Sequence, residues 1–209
     1  MTATQASESS DAAPRRGRPV EVQPEQAALI ALRLFDERGY DEVSMEDVAR
    51  AAGMSRRSLF RYFPRKADLV WSGAAEAQTD IRGALARARP EASTIDALRA
   101  AYATALDFSE DQWEATRRRL LLIQRHPSLY DAVRGQLDDQ RELLASFIAE
   151  REGLARESLL VHVLTDAVSA ASFSALVWWA SGDERSPAEA VNAALAELQK
   201  AFGATSPIN

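Results

Sequence analysis

Six basic side chains, Arg50, Arg56, Arg57, Arg61, Arg65 and Lys66, fall between Asp47 and Asp68 with no acid among them. Cations grouped in this way suit a polyanion such as the phosphate backbone of nucleic acid. The chain as a whole is acidic, with 25 Lys+Arg against 31 Asp+Glu and a formal net charge of −6. A local basic face survives on such a protein because ordinary salt screens charge over about 10 Å. A second basic group, Arg15, Arg16 and Arg18, lies near the N-terminus. A merely solvated helix face carries the same charges, so charge alone leaves both readings open.

Catalytic and metal chemistry find little footing. The 209 residues include no cysteine and only two histidines, His126 and His162. Disulfides, thiolate zinc sites and cysteine nucleophiles are therefore excluded, and no cofactor or metal is expected. There is no phosphate loop, Gly-x-Ser-x-Gly elbow or His-Glu-x-x-His. Asp138 and Asp139 are neighbours on a helix and cannot converge. The chain reads as a binding protein rather than an enzyme.

The basic run must be held by its local elements. Ser44 followed by Asp47 is a capping box that starts one short helix, and Gly53 ends it. Ser55 caps a second short helix from Arg56 to Phe63, broken by Pro64. Two short helices joined by the tight turn Ala52-Gly53-Met54-Ser55 have the dimensions of a helix-turn-helix. In such a unit the second helix brings Arg56 and Arg57 to base edges. Ser55 caps it with its amides towards a phosphate. Arg61, Tyr62 and Lys66 come later, where the groove wall brings phosphates near.

The remaining periodicity predicts an all-α protein of about nine helices. The first begins at Pro24, with Ala27, Ile30, Ala31, Leu34 and Phe35 inward. A long fourth helix is predicted over 65–88, a fifth around Ile95–Leu106, a sixth over 111–125 and a seventh from Pro127. The eighth is the apolar run 157–181, and the ninth opens at Ser186-Pro187 with Val191, Leu195, Leu198 and Phe202 on one side. Three parts result: an arm over 1–19, a helix-turn-helix domain over 20–67 and a larger domain over 68–209. The run from Leu159 to Ala180 is long enough to cross a membrane. His162, Asp166 and several serines interrupt it, so a buried helix of a soluble bundle is expected instead. Met1–Ala13 has no apolar core and reads as no signal peptide, so the expected location is the cytoplasm.

The stretch from Ser44 to Leu69, with Leu34-Phe35-Asp36-Glu37-Arg38-Gly39-Tyr40 before it, resembles the DNA-binding domain of TetR-family transcriptional regulators. The resemblance implies a homodimer on a palindromic double-stranded operator, usually a repressor, released when a small ligand enters the C-terminal domain. On matching positions it implies that Ser44 touches phosphate, that Arg56, Arg57 and Ser58 face bases, and that Tyr62 and Lys66 grip phosphate. Phe60 stands where the family often has a tyrosine, so a hydroxyl contact is lost there. The arm sequence Arg16-Gly17-Arg18-Pro19 has the thin, extended form that lets Arg16 and Arg18 enter a narrow minor groove.

The run Ser55 to Trp71, Trp113 before Arg117-Arg118-Arg119-Leu120, and Arg125-His126-Pro127-Ser128-Leu129 resemble a narrower actinobacterial group. It includes the mycofactocin-associated regulator, and it implies an acyl-CoA-like ligand. Available linings are Tyr102, Phe108, Trp113, Leu121, Phe147, Phe173 and Trp178, with Arg117 and its neighbours for an anionic head and His162 on the apolar helix. Each could equally be plain core. Dimer contacts are expected from the last two helices, with Ala170, Ala171, Ser172 and Ser174 allowing close approach and Trp178 and Trp179 as anchors. The rival reading is a helical adaptor that binds protein and no DNA.

Overall fold

The computed structural model describes residues 23–203, apart from 133. All its elements among these residues are helices, eleven in number: α1 (Pro24–Arg38), α2 (Met45–Ala51), α3 (Arg56–Tyr62), α4 (Lys66–Val70), α5 (Ala74–Ala86), α6 (Thr94–Ala105), α7 (Glu110–Arg125), α8 (Ser128–Ala132), α9 (Arg134–Glu152), α10 (Leu159–Ala180) and α11 (Pro187–Gly203). The all-α expectation holds. Nine of the eleven have seven residues or more.

One of the two further elements comes from a break in an expected helix. The helix expected over 65–88 is broken at Trp71–Gly73, where Gly73 takes a φ of 90° at the start of α5. The Trp71 indole donates to Leu129 O at 2.9 Å, which fixes the chain as it turns away from α4. The helix expected from Pro127 is described as α8 and α9 on either side of residue 133, which lies outside the described residues.

The head is a three-helix unit closed by α4. Leu32, Phe35, Val43, Val48, Leu59, Leu69 and Val70 fill its core. That core does not stop at the head, because Leu122 and Ile123 of α7 and Leu129 of α8 complete it. Three polar links reinforce the junction. Arg119 Nε donates to Val70 O at 2.7 Å, Trp71 reaches Leu129, and Arg118 pairs with Asp36 at 3.6 Å. In the C-terminal domain, α10 packs against α7, α9 and α11, while α6 lies between α5 and α11.

One face of α10 is buried: Val161, Thr165, Val168, Ser172, Ala175 and Trp179, alternating three and four residues apart. The opposite side is open. Leu159 is 78% exposed, Leu160 50%, Val163 43% and Trp178 56%. The helix is thus buried along one face and not all round, with 28% of its most apolar window buried. It is the one described helix long and apolar enough to cross a membrane by length and composition.

Candidate nucleic-acid interface

The geometry of the head follows from its caps. Asp47 N–H donates to Ser44 Oγ at 3.2 Å, and Ser44 N–H donates to Asp47 Oδ2 at 3.0 Å. The Ser44 hydroxyl and backbone hold the Asp47 carboxyl below the usual carboxylate range. Gly53, at φ 64°, makes the left-handed turn between α2 and α3. Ser58 N–H donates to Ser55 Oγ at 3.1 Å and so starts α3. Leu59 and Phe63 anchor α3 inward, which turns Arg57 and Arg61 out to solvent.

The basic run separates into distinct roles. Arg56 is exposed but pairs with Glu46 of α2 at 3.0 Å and lies 5.3 Å from the centre of the Phe60 ring. Phe60 itself packs against the head core, as its missing hydroxyl suggests. Arg57 is exposed, and among the described residues it has no hydrogen-bond or ion-pair partner. Arg61 donates to the Tyr62 hydroxyl at 2.8 Å and covers its ring at 4.7 Å. Tyr62 remains 40% exposed, so the two present a joint edge. Arg50 and Arg65 serve their own helices through Asp47 and Asp68. Ser44 and Ser55 are exposed at the caps, and Ser58 is half-buried beside Ser55. Arg16 and Arg18 lie outside the described residues.

Lys66 is placed differently from its expected role. Its ammonium donates to Tyr40 O and lies 4.2 Å from the Tyr40 ring centre and 5.5 Å from that of Phe35. Burial pushes its pKa down, against the pull of Asp41 and Glu42. It ties the loop after α1 to the start of α4 rather than standing free for phosphate. Tyr40 also meets His126 at 5.1 Å, so one tyrosine joins three elements. Neither Glu46 nor Tyr40 has a role legible from its sequence position alone. The acid in the first turn of α2 is the only signal for the former.

The residues expected to line one ligand tunnel do not meet in one place. Phe108 and Trp113 border a groove between the α6–α7 loop and the start of α11. Phe147 borders another between α5 and α9, together with Leu85, Leu143, Arg82 and Arg151. Tyr102 is buried in the core, and Leu121 and Phe173 pack around Trp179. His162 and Trp178 are corrections, because both lie exposed on α10. His162 faces Arg141 at 3.3 Å, and Arg185 sits 4.9 Å over the Trp178 ring. Trp179 is fully buried within its own subunit and so cannot anchor a partner. The same holds for Ser172.

The arginine triplet is also corrected. Arg117 donates to Trp179 O and Asp183 O and stacks 4.2 Å over Trp179, clamping the end of α10. Arg118 pairs with Glu114 at 2.8 Å as well as with Asp36. Arg119 is spent on Val70 O, and burial pushes its pKa down. All three therefore have structural work and none is placed to receive an anionic head.

A helix-turn-helix head welded to a larger helical domain is the architecture of a one-component DNA-binding regulator. Residues 30–71 match the model of the bacterial regulatory proteins of the tetR family, and residues 92–203 match that of the MftR C-terminal domain. The chain belongs to the TetR family of DNA-binding transcriptional regulators, with a C-terminal domain of the MftR type. It is 30% identical over 180 residues to a protein of Mycobacterium tuberculosis provisionally named mycofactocin biosynthesis transcriptional regulator MftR, covering 86% of this chain and 91% of the other. Among solved structures it is similar in fold to the fatty acid degradation regulator FadR from Bacillus halodurans. The TM-score is 0.63 at 16% identity, over 88% of this chain and 100% of that one. It is also similar to the TetR-family regulator PfmR from Thermus thermophilus. There the TM-score is 0.54 at 22% identity, over 84% and 97% of the two chains.

Proposed function

We propose that this regulator is a repressor that binds a palindromic operator as a homodimer and leaves it when an apolar or amphipathic molecule occupies the C-terminal domain. The observation that carries the DNA side is the display of Arg57 on the first turn of α3, exposed and, among the described residues, without an internal partner. An arginine so placed is free to form a bidentate contact with guanine. Arg56 joins it on exchanging Glu46 for DNA, the Arg61–Tyr62 edge meets phosphate, and Arg16 and Arg18 extend the contact into the minor groove. The open apolar side of α10 supplies the dimer face, and the protein acts in the cytoplasm on the chromosome.

The effector reading rests on the groove between α5 and α9. Its volume is about 530 Å³, and Leu85, Leu143 and Phe147 share the lining with Arg82, Ser146, Glu150 and Arg151. That size is within the range of small-ligand sites. The fold shared with a fatty acid degradation regulator makes long-chain acyl-CoA the first class to test. Selection of bound genomic fragments, followed by titration of acyl-CoAs of increasing length against the complex, tests both halves. Expected are inverted repeats with half-sites about 34–36 Å apart or a multiple of it, affinity falling steeply with salt, and release that strengthens with chain length. Binding to all fragments alike would refute the operator reading. No release at any length would refute acyl-CoA.

A further inference from the structure

The interior of the C-terminal domain contains polar groups that its packing does not use. Thr165 is fully buried and Ser172 is 3% exposed, and neither side-chain oxygen has a hydrogen-bond partner among the described residues. The two stand on one face of α10, interleaved with Val161, Val168 and Ala175, so they point into the same apolar cluster as Tyr102 of α6. Other hydroxyls in the same helix behave differently. Ser169 donates to Thr165 O at 2.8 Å and Ser181 to Val177 O at 3.0 Å, the usual outlet for a helical hydroxyl. Burial pushes the pKa of the Tyr102 hydroxyl up, and the neighbouring Ser172 and Gln140 of α9 act in the opposite sense. Even so, Ser172 Oγ closes no aligned bond. Leaving buried hydroxyls unpaired opposes folding, so such groups call for a partner.

The surroundings define that partner. The cluster around Tyr102 includes Leu98, Leu144, Ile148, Val161 and Val168, and among the described residues the buried polar or charged side chains are Thr165 and Ser172, neither of them charged. The acid of the neighbouring turn, Asp166, is exposed and held by Arg141 at 2.8 Å. A carboxylate or phosphate buried here would meet no cation and would be strongly disfavoured. A ketone, ester or thioester carbonyl, or a hydroxyl, meets donors and acceptors of the right kind. Access is at hand, because Leu143 and Phe147 pack against this cluster and also line the groove between α5 and α9.

We infer that Tyr102, Gln140, Thr165 and Ser172 form a neutral hydrogen-bonding site that receives the uncharged oxygen of an otherwise apolar effector. The inference rests on the effector reading above and narrows its chemistry. Binding of 2-decanone, 1-decanol, decane and decanoate to the free protein, followed by tryptophan fluorescence, tests it. The variants are Thr165→Val and Ser172→Ala, which remove the hydroxyls with little change of shape.

Each variant should weaken 2-decanone and 1-decanol by about 5-fold, within the range of a single net hydrogen bond, and leave decane unaffected. Decanoate should bind far more weakly than 2-decanone. Thr165→Val should melt at or above the wild-type temperature, since it removes an unpaired buried group. Four outcomes would overturn the inference: no saturable binding of the ketone or alcohol, equal loss for ketone and alkane, decanoate as tight as the ketone, or a lowered melting temperature for Thr165→Val. A probe that binds in this pattern yet leaves the operator complex intact would refute release and leave the site standing.

Discussion

Replacing Lys66 by Met separates two jobs that a lysine at the start of α4 could do. In the structure its ammonium donates to Tyr40 O and sits over the Tyr40 ring at 4.2 Å. A hydrogen bond from a charged donor contributes about 1.5–3 kcal/mol, and a partly exposed cation–π contact about 0.5–1 kcal/mol. Both draw on one half-buried ammonium, so they do not add, and a loss of about 2 kcal/mol is expected. Methionine keeps the apolar stem that packs at this site. For a chain of this size about 2 kcal/mol corresponds to a fall in Tm of roughly 4–8 °C. The salt dependence of operator binding should stay the same, because no phosphate contact is removed. Thermal melts and binding isotherms over a range of salt read the two quantities independently. An unchanged Tm together with a salt slope shallower by about 0.9 per half-site would show that Lys66 grips phosphate, and the inward placement would be refuted.

Three further outcomes follow from the same geometry. Arg57→Ala should leave Tm unchanged and lose about 1–3 kcal/mol of discrimination at one base pair, roughly 5- to 150-fold, measured by competition with operator variants. Val163→Glu places a charge on the open face of α10, and light scattering should then give the 22.9 kDa monomer while the melt is preserved. Asp47, whose carboxyl is held low first by the Ser44 hydroxyl and then by the Ser44 N–H, stabilises the head above the ordinary carboxylate pKa. That contribution is lost as pH falls through the ordinary range to the lowered native value, so Asp47→Asn should flatten the acid side of the stability profile. A profile as steep as wild type would count against the capping role.

The head is legible in the sequence because its signals are local. Ser44 with Asp47, and Gly53 with Ser55, each act within three residues, and the helices begin and end where those residues place them. What escapes the sequence depends on partners far along the chain. The break after α4 involves Trp71 and a carbonyl 58 residues away. Arg117 and Arg119 look like candidates for a ligand's head because their acceptors are backbone carbonyls, which carry no mark in the sequence. The run of α10 looks buried because apolar composition reports what a helix would tolerate, not which of its sides is covered. Thr165 gives no signal at all, since a hydroxyl among valines looks the same whether or not it finds a partner.

The junction between head and C-terminal domain has a consequence for exchange of parts. Arg119 and Trp71 both grip main-chain oxygens, at Val70 and Leu129. The acceptor on each side is supplied by whatever residue stands there, provided the chain passes through the same point. These two links make no demand on the side chains of Val70 and Leu129, which the shared core constrains instead, while Arg119 and Trp71 cannot change. A head transplanted from a relative would keep its grip if it carries the tryptophan and ends α4 at the same height, whatever bases its own reading helix prefers. Grafting across this seam thus needs a matching backbone position and apolar side chains that close on Leu122, Ile123 and Leu129, and operator specificity can then be changed without rebuilding the C-terminal domain.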